Sequence, residues 1–199
     1  MSGAAEADGP AQLVLVRHAA TSWSRSGRHT GRTDVPLDEP GTAQAVLIGE
    51  RLAGREVAAV WASPLARAVE TCVLAGLGAA MQLCDDLMEW DYGEYEGLTT
   101  PEIRRLRPGW ELFRDGCPGG EDAAAVGRRV DRVIAALRSD GSLRAGTVLL
   151  FSHGHLLRTL AARWIGLEPQ AGRSLKLETG QLGVLGWERE VPVVLSWNV

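Results

Sequence analysis

Two short stretches of this chain are almost continuously apolar, residues 13–16 (LVLV) and 147–151 (TVLLF). Runs of this length without polar alternation predict strands buried on both faces of a sheet. The first ends abruptly in Arg17-His18 and the second in Ser152-His153-Gly154. Residues 21–36 are polar and aperiodic, punctuated by Gly27, Gly31 and Pro36, and read as a long loop. Asp38 and Pro40 open a helix to about Ala53, with Ala45, Ile48 and Leu52 on one face and Gly54 as its stop. Residues 57–62 read as a strand. Ser63-Pro64 then predicts an N-cap and a first-turn proline for a helix to about Ala75, carrying Arg67 near its beginning.

Residues 81–84 suit a short third strand, and residues 89–97 an aromatic, glycine-containing loop. Thr100-Pro101 starts a short helix to about Leu106, while Val126, Val130, Val133, Ile134 and Leu137 mark the apolar face of a longer one over residues 121–137. A further helix follows His153 to about Ile165, and residues 181–187 and 191–197 read as a closing β-hairpin. Strands alternating with helices at this spacing predict an α/β fold, a three-layer sandwich with a mainly parallel central sheet and helices on both faces. Ligands of such sheets bind beyond the carboxyl ends of the strands. Arg17-His18 and His153 fall there.

The 199 residues are 45% hydrophobic and 23% charged, which suits a single domain over residues 13–199. The formal charge of -4 gives no field for a polyanion, so neither nucleic acid nor an anionic membrane is an expected partner. Residues 1–12 lack the charge and apolar run of a signal peptide and read as a disordered tail. Cys72, Cys84 and Cys117 have no CxxC spacing and point to a reducing, cytoplasmic setting. The closing hairpin or an apolar helix face could support a homodimer.

Two buried strands that each deliver a histidine to one sheet edge, with Arg17 beside the first and Arg67 at a helix start, form a candidate phosphate site. Guanidiniums offer forked donors to phosphate, and a helix start adds N–H groups and its dipole. Against this background the chain resembles the histidine phosphatase superfamily, which includes cofactor-dependent phosphoglycerate mutases and acid phosphatases. Arg17-His18-Ala19 stands at the family's Arg-His-Gly signature, and Thr30-Gly31-Arg32-Thr33-Asp34 at its substrate-contacting loop. Ser63-Pro64-Leu65-Ala66-Arg67-Ala68 resembles the block of its second arginine, the run from Glu89 to Leu98 its general-acid loop, and Ser152-His153-Gly154-His155 its second histidine.

The resemblance implies a phosphoglycerate mutase-like fold and a metal-independent phosphatase acting on small phosphomonoesters, sugar phosphates and bisphosphates among them, with a small phosphorylated metabolite as its partner. It implies His18 as the nucleophile that becomes phosphohistidine, with Arg17, Arg67 and His153 around the transferring group. Glu89 takes the place of the acid and base. Thr30 and Gly31 fall where a hydroxyl and a backbone N–H contact substrate, and Ser24 stands where asparagine is frequent. Trp90 and Tyr92 are expected at the pocket, with Gly154 and His155 as outer contacts. The chain departs from the family at Ala19 and Ala20, where glycine and glutamate are usual. Ala19 is a small change at negative φ and a strained one at positive φ.

Two alternatives stand beside hydrolysis. Mutases resemble the chain at both histidines but carry a basic pair after the acid loop, where Thr99, Thr100, Pro101 and Glu102 appear here. A non-catalytic phosphate binder on the same fold would not require the acid. His153 and His155 form an HxH pair without a third ligand at suitable spacing, so no metal or other cofactor is expected. His29 reads as an exposed loop residue, and the clusters Arg104, Arg105, Arg107 and Arg128, Arg129, Arg132 as solvated helix faces paired with local acids.

Overall fold

The structure is a computed structural model that describes residues 12–199. The expected disordered tail thus lies, through residue 11, outside the described residues. Gln12, just before the first strand, is already tied to the sheet, its carbonyl accepting the Val148 N–H at 2.9 Å. The strands are β1 (Leu13–Arg17), β2 (Val57–Ala62), β3 (Met81–Leu83), β4 (Thr147–Ser152), β5 (Leu182–Glu188) and β6 (Val191–Trp197). They form one sheet in the order β3-β2-β4-β1-β5-β6, with β3, β2, β4 and β1 parallel and the hairpin β5-β6 running antiparallel along β1.

The helices are α1 (Ser22–Ser26), α2 (Glu39–Leu52), α3 (Ala66–Leu74), α4 (Thr100–Leu106), α5 (Leu112–Asp115), α6 (Ala123–Ser139), α7 (Ser142–Ala145) and α8 (Gly154–Trp164). Successive side chains of a strand point to opposite faces. Leu13 and Leu15 of β1 with Val148 and Leu150 of β4 therefore join Val126, Val130, Leu156 and Leu160 of α6 and α8 on one side. Val14 and Val16 with Leu149 and Phe151 join Ile48, Leu52 and Cys72 of α2 and α3 on the other. These are the three expected layers. Both faces being apolar, alternation alone does not pin the β1–β4 register. The polar strand ends do: Arg17 pairs with Ser152, and the His18 N–H donates to the Ser152 carbonyl at 2.8 Å.

The elements depart from expectation where tertiary contacts outweigh local signals. The 21–36 segment holds the five-residue helix α1, closed by a capping box in which Thr21 and Ser24 exchange side-chain and backbone bonds. Ser63 does not cap α3, whose N-cap is Leu65 without a side-chain bond. Among the described residues no helix is long and apolar enough to cross a membrane.

Candidate active site

Three adjacent parallel strands, β2, β4 and β1, are followed directly by Ser63, His153 and His18, and the order of the sheet brings these residues to one edge. The His18 ring is buried, and its Nδ1 lies 2.7 Å from the Ala19 carbonyl. A carbonyl only accepts, so Nδ1 carries the proton. Burial first, then the charges of Arg67 and Arg17, hold the His18 pKa well below its usual value, so the ring is neutral. Nε2 is left with a free lone pair.

His18 lines a cavity of about 150 Å³ together with Arg17, Arg28, His29, Thr30, Ser24, Glu89, Tyr92 and His155. Arg17 donates from Nη1 to the Leu177 carbonyl at 2.5 Å, while its buried Nε–H has no partner. An unpaired buried donor of this kind is costly. Gly154 makes room for this guanidinium, since a Cβ there would stand 3.0 Å from Arg17 Cζ.

Glu89 is buried at the start of α8. Its carboxylate accepts the N–H groups of Leu156 at 3.0 Å, His155 at 3.1 Å and Trp90 at 2.9 Å, so this helix start serves a protein carboxylate. The N–H of Ala66 at the start of α3 goes likewise to Asp34 at 2.7 Å. Of the N–H groups that these helix starts were expected to offer to phosphate, those of Ala66, His155 and Leu156 are thus taken by carboxylates of the chain itself.

The chain matches the histidine phosphatase superfamily (branch 1) over residues 13–199. It belongs to that superfamily. It is 42% identical over 182 residues to an acid phosphatase of Mycobacterium tuberculosis, covering 90% of this chain and 88% of that protein. Identity to a sedoheptulose 1,7-bisphosphatase of Saccharomyces cerevisiae is 37%, over 80% of this chain and 69% of the relative. A probable phosphoglycerate mutase of Salmonella choleraesuis is 30% identical, over 94% of this chain and 90% of its own. Among solved structures, a functionally characterised open reading frame of Mycobacterium tuberculosis superposes with a TM-score of 0.89 at 38% identity, covering 94% of this chain and 97% of that one. With phosphatases as relatives at these identities, the chain is a phosphoric monoester hydrolase of the histidine phosphatase fold.

Within this histidine phosphatase several side chains do other work than expected. Arg67 is fully buried, and four of its N–H groups are taken, by His153 Nδ1 at 3.1 Å and by the carbonyls of Thr33, Thr30 and Gly31. It clamps the 30–33 loop and acts on His18 through its charge. Since Nδ1 of His153 accepts from Arg67 and burial keeps this ring neutral, Nε2 is the donor to Ser63 Oγ at 2.7 Å. His153 thus stands behind His18, ring centroids 5.2 Å apart, with both nitrogens engaged. The Gly31 N–H goes to Glu96 at 2.8 Å, and a Cβ at Gly31 would lie 2.6 Å from the Trp90 carbonyl and from Glu96 Oε2, so glycine is there for close approach. Ser24 spends its hydroxyl proton on the Thr21 carbonyl at 3.0 Å, and Thr30 donates to the Arg28 carbonyl at 3.2 Å, although both border the cavity. Trp90 is fully buried against Phe113, its Nε1 donating to the Glu121 carbonyl, and it pins the loop instead of lining the pocket. Tyr92 and His155 do line it, sharing a hydrogen bond of 2.6 Å. Ala19 is not among the described non-glycine residues at positive φ, which are Arg189 and Asn198, so its methyl brings no backbone strain. Ala20 is buried and bonded through its N–H to Gln44.

Three contributors escape sequence reasoning. His29, read as exposed, is half-buried with its ring 4.7 Å from Tyr92 and 5.5 Å from Trp110. Arg28 brings another guanidinium to the cavity. Arg129, read as part of a solvated face, is buried and fastens the acid loop, donating to the carbonyls of Asp86, Met88 and Glu89 and forking onto Glu121. Burial works to raise the Glu121 pKa, but the Arg129 fork and the Asp91 N–H outweigh it and hold it below its ordinary value.

All four histidines are held neutral by burial, His29 down to about 4 and His18, His153 and His155 well below their usual range. The unfolded chain protonates them from about pH 6.5 downward, whereas the folded chain resists, so their stabilising contribution is complete above that pH and is lost as pH falls. The slope approaches roughly 1.4 kcal/mol per pH unit for each histidine that titrates only in the unfolded state. Urea midpoints at pH 7.5 and pH 5 are expected to differ accordingly, and substituting His29 by glutamine, which removes one of these titrations, should narrow the difference.

Proposed function

We propose that this chain hydrolyses small phosphomonoesters, sugar phosphates foremost, by forming a phosphohistidine on Nε2 of His18. The observation that carries the reading is the neutral His18 ring on the cavity wall, its Nδ1–H held by Ala19 so that only Nε2 can attack. Arg17, with an unpaired Nε–H and free donors, would bind the phosphoryl oxygens, and the charge of Arg67 would act from behind. Transfer then breaks the P–O ester bond as the P–N bond forms, and the departing alkoxide takes from Glu89 a proton that the carboxylate has first accepted from the monoanionic phosphate ester. In the second half a water gives its proton back to the Glu89 carboxylate, its oxygen bonds to phosphorus, and the P–N bond breaks. Phosphatase relatives at the higher identities favour water over a second substrate position as acceptor. Three free cysteines support a reducing cytoplasm as its setting.

The test is a phosphate-release screen over sugar phosphates, phosphoglycerates and an aryl phosphate, run with and without a chelator. Chelator-insensitive release from at least one sugar phosphate is expected. Binding of phosphorylated ligands with no release from any of them would replace the reading by that of a binder, and isomer exchange of 3-phosphoglycerate without free phosphate by that of a mutase.

Arg129 would serve as a positioning residue for Glu89. Arg129→Lys keeps a charge against Glu121 but loses the fork and the loop carbonyls, with an expected stability loss of about 1–3 kcal/mol. Its kcat/KM should fall further for alkyl phosphates, which need a proton on the leaving group, than for 4-nitrophenyl phosphate. An equal fall for both would show that the clamp does not act through Glu89.

A further inference from the structure

The hydrogen bond from His18 Nδ1 to the Ala19 carbonyl sets where Nε2 points. A peptide unit is planar, so this carbonyl is held by whatever holds the Ala20 N–H on the other side of the same peptide. That N–H donates to Oε1 of Gln44, on α2, at 3.0 Å. The Gln44 amide is fixed in turn by its Nε2, which donates to the Thr179 carbonyl at 2.7 Å. A donor on one side and an acceptor on the other leave the amide a single orientation. The next residue, Gly180, donates its N–H to the carbonyls of His18 at 3.1 Å and Arg17 at 3.2 Å. Gln44 thus braces the two segments that hold the His18 backbone. Two glycines admit it. A Cβ at Gly41, earlier on the same helix, would stand 2.0 Å from the Ala20 carbonyl oxygen, and one at Gly180 would stand 2.2 Å from Gln44 Cδ. The preceding peptide is fixed as well, the Ala19 N–H donating to the Thr71 hydroxyl at 3.1 Å. Gln44 does not line the cavity around His18, so its path to a substrate runs through the ring.

We propose that Gln44 is a positioning residue for His18, holding the peptide between Ala19 and Ala20 so that its carbonyl keeps the ring proton on Nδ1 and Nε2 faces the phosphorus. The inference rests on the phosphatase reading for the role of His18. The amide of Gln44, the peptide and the imidazole form one chain of donors and acceptors, in which each bond polarises the next. Accepting the Ala20 N–H makes the Ala19 carbonyl a stronger acceptor, and the stronger bond to Nδ1–H adds electron density to the attacking nitrogen.

Two measurements on the full chain test this: kinetics with 4-nitrophenyl phosphate, whose leaving group hardly needs an acid, and NMR of isotope-labelled histidine nitrogens, which reads ring tautomers without turnover. The signal missing from His18→Ala identifies His18, and in the wild-type chain it should carry its proton on Nδ1. Gln44→Met, similar in length and without either hydrogen bond, should mix the two tautomers and lower kcat/KM about ten- to a hundredfold per folded molecule, the folded fraction being taken from urea unfolding. Competitive inhibition by inorganic phosphate should keep its wild-type constant, because the Arg17 side chain is untouched. Gln44→Glu retains an oxygen for the Ala20 N–H and should recover the Nδ1–H tautomer and part of the rate. A wild-type tautomer in Gln44→Met, or phosphate inhibition weakened as far as kcat/KM, would overturn the proposal, the second by assigning the loss to the pocket as a whole. A wild-type His18 protonated on Nε2 would overturn it without any variant. Mixed tautomers in Gln44→Met, beside a wild-type chain that hydrolyses no phosphomonoester, would keep the brace and overturn the phosphatase reading instead.

Discussion

Replacing His18 by alanine is expected to reduce turnover of 4-nitrophenyl phosphate to background, a loss on the order of 10⁴-fold or more. The size follows from the site. Of the neighbours of His18, the Tyr92 hydroxyl is kept protonated by burial and by the charge of Glu89, both nitrogens of His153 are engaged, and His29 and His155 are tied through one ring nitrogen each to Thr100 and Tyr92. His18→Asn is expected to fail equally, because an amide could keep the bond to the Ala19 carbonyl yet offers no nucleophile. A pulse of labelled substrate followed by alkaline quenching should trap an acid-labile, alkali-stable phosphoryl group on the wild-type chain and none on either variant. Since burial and the charges of Arg67 and Arg17 hold the His18 pKa well below the ordinary histidine value, protonation of the nucleophile should begin to limit kcat/KM only well below the pH at which an ordinary histidine titrates. Retained activity in His18→Ala would remove the assignment outright.

The sheet was legible because a strand buried on both faces has few alternatives in sequence. LVLV and VLLF each end at a polar histidine, so the strand limits and the edge where the chemistry gathers could be read together. The site was legible as a set of residues and much less so as a set of roles. A guanidinium looks the same in sequence whether it faces a phosphate or three carbonyls of its own chain, and for Arg67 those carbonyls lie more than thirty residues away. Arg129 illustrates the opposite error. Its neighbours Arg128 and Arg132 are exposed, but helical rotation turns Arg129 inward beneath the acid loop, a direction the apolar pattern of α6 already contained. Gly31 and Ser24 were assigned to substrate on resemblance, although a glycine can mark close approach of backbone and a serine three residues after a threonine can close a capping box. His29 sits in a stretch without periodicity, and only the fold shows the aromatic side chains that cover it.

Glu89→Gln separates the two halves of the reaction, and the choice of rate constant decides what it reveals. kcat/KM reports the steps through phosphoryl transfer to His18, where Glu89 would protonate the leaving oxygen. An alkyl alkoxide needs that proton and a nitrophenolate hardly does, so kcat/KM should fall roughly 10²–10⁴-fold for alkyl phosphates and little for 4-nitrophenyl phosphate. The second half requires a base for the attacking water whatever group has left. With the amide unable to accept that proton, phosphohistidine should accumulate, giving a burst of nitrophenolate equal to the enzyme and a slow common kcat. The substitution also sets one amide N–H against the N–H groups at the start of α8 that the carboxylate accepts in the native site, at a cost of about 1–3 kcal/mol. A urea midpoint measured beside the kinetics accounts for that part, because lost stability lowers both substrates alike. Equal falls in kcat/KM for alkyl and aryl phosphates, in a variant that remains folded, would exclude Glu89 as the acid.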